Sequence, residues 1–296
     1  KKTKKYLKAE LYILENLIKK KGNIITDEKI PEFKKIKAIS FSKNLNLFSL
    51  LDKKNNFQFL SHQYEGEYQL LKIKYKNSIH KIKLNLIGKI QFKNILMAVI
   101  ASIKSNISIE EIINVIPKIK SVEGRFERIG RIKNNSNVMV DYAHTPDALK
   151  TCLKNIKEQF PGHKITLVFG CGGNRDQNKR AKMGKIADLY SDKIYLTDDN
   201  PRLEQPNKIR KDIKKGIKKQ KVLEFSNRAK AISEAIKYLN TGEILLVAGK
   251  GHEKFQEIGM KKNFFSDKKI IFDAIKIKNL ALSNNLKVNI LNELSE

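Results

Sequence analysis

Four segments of the chain gather charged side chains around glycine or proline: DYAHTPDA from Asp141, FGCGGNRD from Phe169, TDDNPR from Thr197 and GKGHE from Gly249. The third places Asp198, Asp199, Asn200 and Arg202 in one turn, with Pro201 fixing the backbone. Asp-Asn-Pro is an ordinary turn sequence, but a turn does not require two carboxylates and an arginine. Joined by Arg175 and Glu253 from the neighbouring segments, these residues suit a zwitterion. Guanidinium forks donate to a carboxylate, and carboxylates accept from an ammonium.

The other segments carry different chemistry. In FGCGGNRDQNKR, Gly170, Gly172 and Gly173 resemble a dinucleotide fingerprint, but Arg175 holds the position of the third glycine of G-x-G-x-x-G. Arg175, Asp176, Lys179 and Arg180 are expected at a helix amino end, where anions are favoured. Gly249 and Gly251 allow a ligand close to the backbone and flank Lys250, with His252 and Glu253 following; His252 by itself reads as structural. Asp141 is placed to hold a ribose and His144 to face the same crevice, whereas Pro146 and Asp147 read as the start of a helix.

These segments need a scaffold that brings them to one side. From about residue 123 strands and helices alternate, with strands at VMVDY, KITLVFG, KIYLTDD, VLEF and EILLVAG. Helices are expected over 146–158, 178–190, 206–219 and 227–239. Short β-rich runs spaced by helical stretches indicate βαβ units and a parallel sheet, which binds ligands at the carboxyl ends of its strands. The motifs follow those strands. Residues 1–122 differ: a first helix through Glu15, a short strand at NIITDE, a hairpin turning at Asn77-Ser78, then helices at FKNILMAVIASI and SIEEIINVI, the second capped by Ser108. The fold class expected is α/β, an α+β unit at 1–122 followed by a Rossmann-like, mostly parallel sheet unit at 123–296.

The chain has 296 residues, 41% of them hydrophobic, enough for two cores. Its formal charge of +29 is carried by 60 basic residues, of which only 8 are Arg, with none before Arg125. Lysines scattered among Ile and Asn indicate a compositional preference over solvated faces. Aromatics interleaved in a basic stripe, which single-strand binders use for stacking, are not evident, so no specific nucleic-acid partner is expected. The positive field would instead help capture polyanionic nucleotides. Cys152 and Cys171 suit a reducing compartment rather than a disulfide framework. No apolar run approaches the roughly 18 residues of a spanning helix, and no signal-peptide pattern opens the chain, so a cytoplasmic location without membrane contact is expected.

Five collinear segments, EGRFE, DYAHTPDAL, FGCGGNRD, TDDNPR and VAGKGHE, resemble the signatures of the Mur ligases, specifically the MurE type; residues 6–122 match more loosely. The resemblance implies a partial central ATP-binding domain at 1–122 and the carboxy-terminal Rossmann-like domain at 123–296. It implies an ATP-dependent ligase, with Mg2+, that adds meso-diaminopimelate to a UDP-muramyl dipeptide through an acyl phosphate. Arg175, Asp199, Asn200, Arg202, Gly249 and Glu253 then correspond to the amino-acid pocket. Asn94 resembles the adenine-side residue, Arg125 a phosphate contact, and Asp141, Tyr142 and His144 the nucleotide-facing loop. Arg202 beside Arg175 suits diaminopimelate, which has a carboxylate at its far end where lysine has only an ammonium.

The chain departs from the family pattern twice. It contains no G-x-x-x-x-G-K-S/T loop, so the catalytic phosphate cradle has no counterpart, and this chain is expected to need an amino-terminal half, if separately encoded, as partner. Where the family carries a carbamylated lysine that ligates Mg2+, Glu10 stands, a hard-oxygen donor on a shorter arm. Two other classes share features with this one. A folylpolyglutamate synthase-like ligase would have the same architecture, but DNPR and GKGHE favour the muramyl branch. A dinucleotide oxidoreductase would need the missing glycine.

Overall fold

The computed structural model describes residues 7–9, 11–50, 56–219 and 222–293. The chain divides into two compact units, residues 1–120 and 121–296.

In the first unit, β1 (Asn23–Thr26) pairs in parallel with β2 (Asn46–Ser49) across the helix Phe33–Ser42. A three-stranded antiparallel sheet follows: β3 (Phe57–Glu65), β4 (Tyr68–Tyr75) and β5 (Ser78–Leu84). Alternation sends Leu71, Ile73, Ile82 and Leu84 inward, all of them buried. The β4–β5 turn is Lys76-Asn77, one residue earlier than expected, with Lys76 in the left-handed region at φ 52°. Helix Lys89–Lys104 lays Phe92, Leu96, Val99 and Ile100 on this core at helical spacing. Ser108 opens helix Ile109–Val115 through a reciprocal capping box with Glu111.

The second unit is built on a six-stranded sheet. Its strands are β6 (Glu127–Arg131), β7 (Asn137–Asp141), β8 (Ile165–Phe169), β9 (Lys193–Thr197), β10 (Val222–Phe225) and β11 (Ile244–Ala248). They lie in the order β10-β9-β8-β11-β7-β6, all parallel except β6. β7, β8 and β11 are buried along their whole length, as apolar runs covered on both faces should be. The path steps outward from β7 to β10 and then returns to β11. Right-handed crossovers therefore put helices Pro146–Gln159, Lys179–Tyr190 and Pro206–Lys214 on one face, and Arg228–Lys237 on the other, packed against Asp267–Glu293. A hairpin of β12 (Phe255–Ile258) and β13 (Lys261–Phe264) leaves the sheet after β11. Among the described residues no helix is long and apolar enough to cross a membrane.

Two helices are shorter than their pattern suggests. Pro206–Lys214 stops short of Gly216, a glycine that passes so close to the neighbouring helix that an added Cβ would meet the Ala181 carbonyl at 1.9 Å. Arg228–Lys237 is capped by the Asn227 side chain, which accepts from the Lys230 N–H.

Candidate active site

The reversal of direction between β8 and β11 opens a crevice at their carboxyl ends, and the loops after β7, β8, β9 and β11 meet there. They meet so closely that glycine is obligatory. A Cβ on Gly170 would lie 2.2 Å from the Thr197 carbonyl, and one on Gly173 would lie 1.9 Å from that of Pro201. The glycines that resembled a dinucleotide fingerprint thus let the β8 loop press against the β9 turn.

The six residues expected to hold an amino acid come together. Asp199 is 7% exposed, packs its Oδ2 over Gly249, and among the described residues meets no hydrogen-bond donor. Asn200 is fully engaged: Nδ2 donates to Glu253 Oε2 at 3.0 Å, while Oδ1 accepts from Lys250 Nζ at 2.9 Å and from the Glu257 N–H at 3.0 Å. Lys250 is wholly buried, and its other two donors reach Glu253 Oε2 at 3.0 Å and the Phe255 carbonyl at 2.6 Å. Burial works against the charge on Glu253, but Lys250, Asn200 and Arg202 outweigh it and hold the carboxyl below its usual range. Arg202 donates from Nη1 to the Gly173 carbonyl at 3.0 Å and pairs through Nε with Glu257 at 2.6 Å. Arg175 is exposed, and a Cβ added to Gly172 would sit 3.0 Å from Arg202 Nη1 and 3.8 Å from Arg175 Cγ. Two arginines and two acids are therefore carried on loops that meet at this end of the sheet.

The residues expected to face a nucleotide form an adjoining rim. Arg125 lies over the Tyr142 ring at 4.7 Å, and the rings of His144 and His252 flank Tyr142 at 4.6 and 5.3 Å. Asp141 holds this rim together: its oxygens accept from the Phe126 and Ala143 N–H groups, each at 2.7 Å, and it is buried. Its carboxylate thereby anchors the Gly124–Phe126 loop to the end of β7. Gly124 and Gly251 touch, since a Cβ on Gly124 would stand 2.1 Å from the His252 nitrogen. His252, read from sequence as structural, shares the rim with Arg125, Asp141, Tyr142 and His144.

Some charged residues of the motifs serve the scaffold. Asp198 pairs with Arg210, which also holds Glu224 at 2.8 Å; burial raises the Asp198 carboxyl against the pull of Arg210. Arg180 is wholly buried against Glu204 and Asp212 at 2.8 and 3.2 Å, so it offers nothing to an anion at the helix start. Lys179 donates to the His144 carbonyl at 2.7 Å, tying helix Lys179–Tyr190 to the rim. Burial raises the thiols of both Cys152 and Cys171, the latter to about 12, which leaves them unreactive.

Sequence reasoning missed a second buried cation beneath the cleft. Arg228 donates to both oxygens of Asp267 at 2.7 Å and to the Ala248 carbonyl at 3.0 Å, and both charged side chains are fully buried. Its charge is sustained by Asp267 and, more distantly, by Asp199 and Glu253, although burial opposes it. In sequence it is one arginine opening an amphipathic helix, and nothing marks its partner 39 residues away.

Asn94 belongs to the first unit, exposed on helix Lys89–Lys104 beside Lys93, which pairs with Asp27. Glu10 lies outside the described residues. Among the described residues no three His, Cys, Asp or Glu side chains stand close enough to hold a metal ion.

Comparison with known proteins bears on the fold and the family. A family profile described as the Mur ligase glutamate ligase domain matches residues 124–251. The chain is 38% identical over 275 residues to the UDP-N-acetylmuramoyl-L-alanyl-D-glutamate--2,6-diaminopimelate ligase of Rickettsia montanensis, covering 92% of this chain and 56% of that protein. The Fusobacterium nucleatum ligase of the same name is 44% identical over 210 residues, 70% of this chain and 43% of that one. The chain thus spans about half the length of the curated relatives it matches. A solved ligase of that name superposes with a TM-score of 0.66 at 27% identity, over 92% of this chain and 56% of the other. Folylpolyglutamate synthase from Thermotoga maritima shares the fold, with a TM-score of 0.63 at 19% identity, over 79% of this chain and 53% of its own. The fold, the collinear motifs and these matches together make the chain a member of the Mur ligase family.

Proposed function

We propose that this chain supplies the amino-acid pocket and part of the nucleotide site of an ATP-dependent ligase that adds meso-diaminopimelate to UDP-N-acetylmuramoyl-L-Ala-D-Glu. The observation that carries the reading is Asp199, a largely buried residue whose carboxylate accepts no hydrogen bond among the described residues, on the turn that also carries Arg202. A carboxylate with its lone pairs unmet is ready to accept from an amino acid's ammonium. Glu253, held ionised with Oε2 committed to Lys250 and Asn200, is the second acceptor.

ATP passes its γ-phosphoryl group to the acceptor's carboxylate and leaves as ADP; the incoming neutral amine attacks the acyl phosphate, inorganic phosphate departs, and the nitrogen gives up its proton to solvent. The pocket fixes the amine relative to that carbonyl, and positioning is the largest contribution a binding domain can make. The rim of Arg125, Tyr142, His144 and His252 fits a nucleotide, with a guanidinium for phosphate and an aromatic face beside it. Asn94 is assigned to the adenine side and Asp141 to the loop that holds the rim. Mg2+, implied by the family, would neutralise phosphate charge during transfer, and Glu10 is the residue this chain offers towards it. Domain limits of 1–122 and 123–296 follow from the same reading. ATP and UDP-linked acceptors are cytosolic, so the reading carries a cytoplasmic location.

Calorimetric titration with meso-diaminopimelate and L-lysine tests the pocket. Diaminopimelate should bind, and Arg202→Ala should abolish it. Equal binding of both amino acids, or binding indifferent to Arg202, would remove the substrate assignment.

A further inference from the structure

Glu257 lies outside every motif that marks the pocket, yet it is built into it three times over. Its N–H donates to Asn200 Oδ1 at 3.0 Å, its carbonyl accepts from the Arg202 N–H at 3.0 Å, and its carboxylate pairs with Arg202 Nε at 2.6 Å. Arg202 answers through its own carbonyl, which accepts from the Gly259 N–H at 2.8 Å, and holds a left-handed backbone at φ 53° to do so. That conformation is uncommon outside glycine and persists only where its surroundings enforce it. The β12 strand is thereby laid along the DNPR turn, and Gln256 strengthens the attachment by donating to the Asp199 carbonyl at 2.7 Å.

The pair faces solvent, with side-chain exposures of 23% for Arg202 and 38% for Glu257. An ion pair this exposed adds little to stability, so its tight backbone mounting calls for another reason. Glu257 occupies Nε and Gly173 takes one N–H of Nη1, leaving the Nη1/Nη2 end of the fork to meet a ligand carboxylate. Alone, that fork would accept any side chain ending in a carboxylate. With an anion beside it, a bare carboxylate also meets repulsion, which an ammonium on the same carbon relieves.

We infer that Glu257 is a specificity-determining residue, reading with Arg202 an amino acid whose far end carries both a carboxylate and an ammonium. This deepens the diaminopimelate reading and rests on it. Arg202 takes the distal carboxylate, and Glu257 takes the distal ammonium through Oε1, which has no partner among the described residues.

The test compares meso-diaminopimelate with 2-aminoheptanedioate, which lacks only the distal amine, by calorimetric titration of the full chain and of Glu257→Gln. The wild-type chain should prefer diaminopimelate by about tenfold or more, the size of one charge-assisted hydrogen bond. In Glu257→Gln the preference should shrink to about twofold or less, mainly through tighter binding of 2-aminoheptanedioate. Glu257→Ala should narrow it in the same way, with an unchanged melting temperature showing that the turn survives. A preference unaltered in both variants would overturn the role of Glu257 while leaving the amino-acid pocket standing. Failure of the wild type to bind either ligand would remove both.

Discussion

Asp198 and Asp199, adjacent in sequence, have carboxylates in opposite circumstances: Asp198 is ion-paired with Arg210, whereas Asp199 rests over Gly249 with no donor among the described residues. The turn after β9 thus divides its acids between scaffold and cleft.

Asparagine at each position should separate the two roles. Asp198→Asn is expected to cost no more than about 1 kcal/mol, because the amide oxygen can still accept from Arg210, Glu224 still pairs with it, and the charge that burial disfavours is gone. Amino-acid binding should be retained. Asp199→Asn should leave stability little changed, since its carboxylate accepts no hydrogen bond among the described residues, while amino-acid binding is lost. Urea unfolding paired with calorimetry reads both outcomes.

The Lys250–Glu253 contact predicts a pH dependence. Glu253 ionises more readily folded than unfolded, so it contributes stability above the ordinary carboxylate range, and that contribution is lost as pH falls through its depressed folded value. Urea midpoints followed from neutral to acid pH should fall more gently in Glu253→Gln. Lys250→Met should cost about 2–4 kcal/mol by leaving Glu253 and Asn200 without their buried donor. It should also move the acid limit of amino-acid binding upward.

Beneath the cleft, Asp267→Asn is expected to destabilise by about 3–5 kcal/mol, stranding a fully buried guanidinium. Replacing both partners with apolar side chains should recover much of that loss, because the desolvation of both charges disappears with them. Thermal unfolding of the singles and the double forms the cycle that decides it.

Gly124→Ala should separate the rim from the GKGHE loop. The added methyl meets the His252 nitrogen and the Gly251 carbonyl carbon, both main-chain atoms, in a residue already at φ 67°. A cost of about 1–3 kcal/mol is expected, with nucleotide affinity falling further than amino-acid affinity. Equal losses for the two ligands would show that the rim and the pocket are one unit.

The parallel sheet was legible because four of its five parallel strands are apolar runs ending in a motif, and the helix starts at Pro146 and Pro206 were written in those prolines. β6 was not, since Glu127, Arg128 and Arg131 mask its pairing with β7. β12 and β13 went unread because an exposed hairpin with Lys261 and Lys262 in its second strand carries no buried face. Within the site, residues in glycine and proline motifs were visible. Arg228, Asp267 and Glu257 were not, because their meaning lies in partners distant along the chain. The charged tail of FGCGGNRD misled in one respect: Arg180 looked like an anion contact and is a buried strut between Glu204 and Asp212.

β11 enters the sheet last of the parallel strands and lies between β7 and β8, the first two to be made. During synthesis, a chain extended only to about residue 243 therefore carries two apolar strand edges with nothing between them. Unpaired edges of this kind recruit strands from other molecules, and closing the gap joins residues about a hundred positions apart, a slow step in folding. The same insertion delivers Gly249, Lys250 and Glu253 to the cleft. Solubility of the nascent chain and assembly of its binding site thus wait on one five-residue strand, and a substitution that weakens β11 should surface first as aggregation during expression.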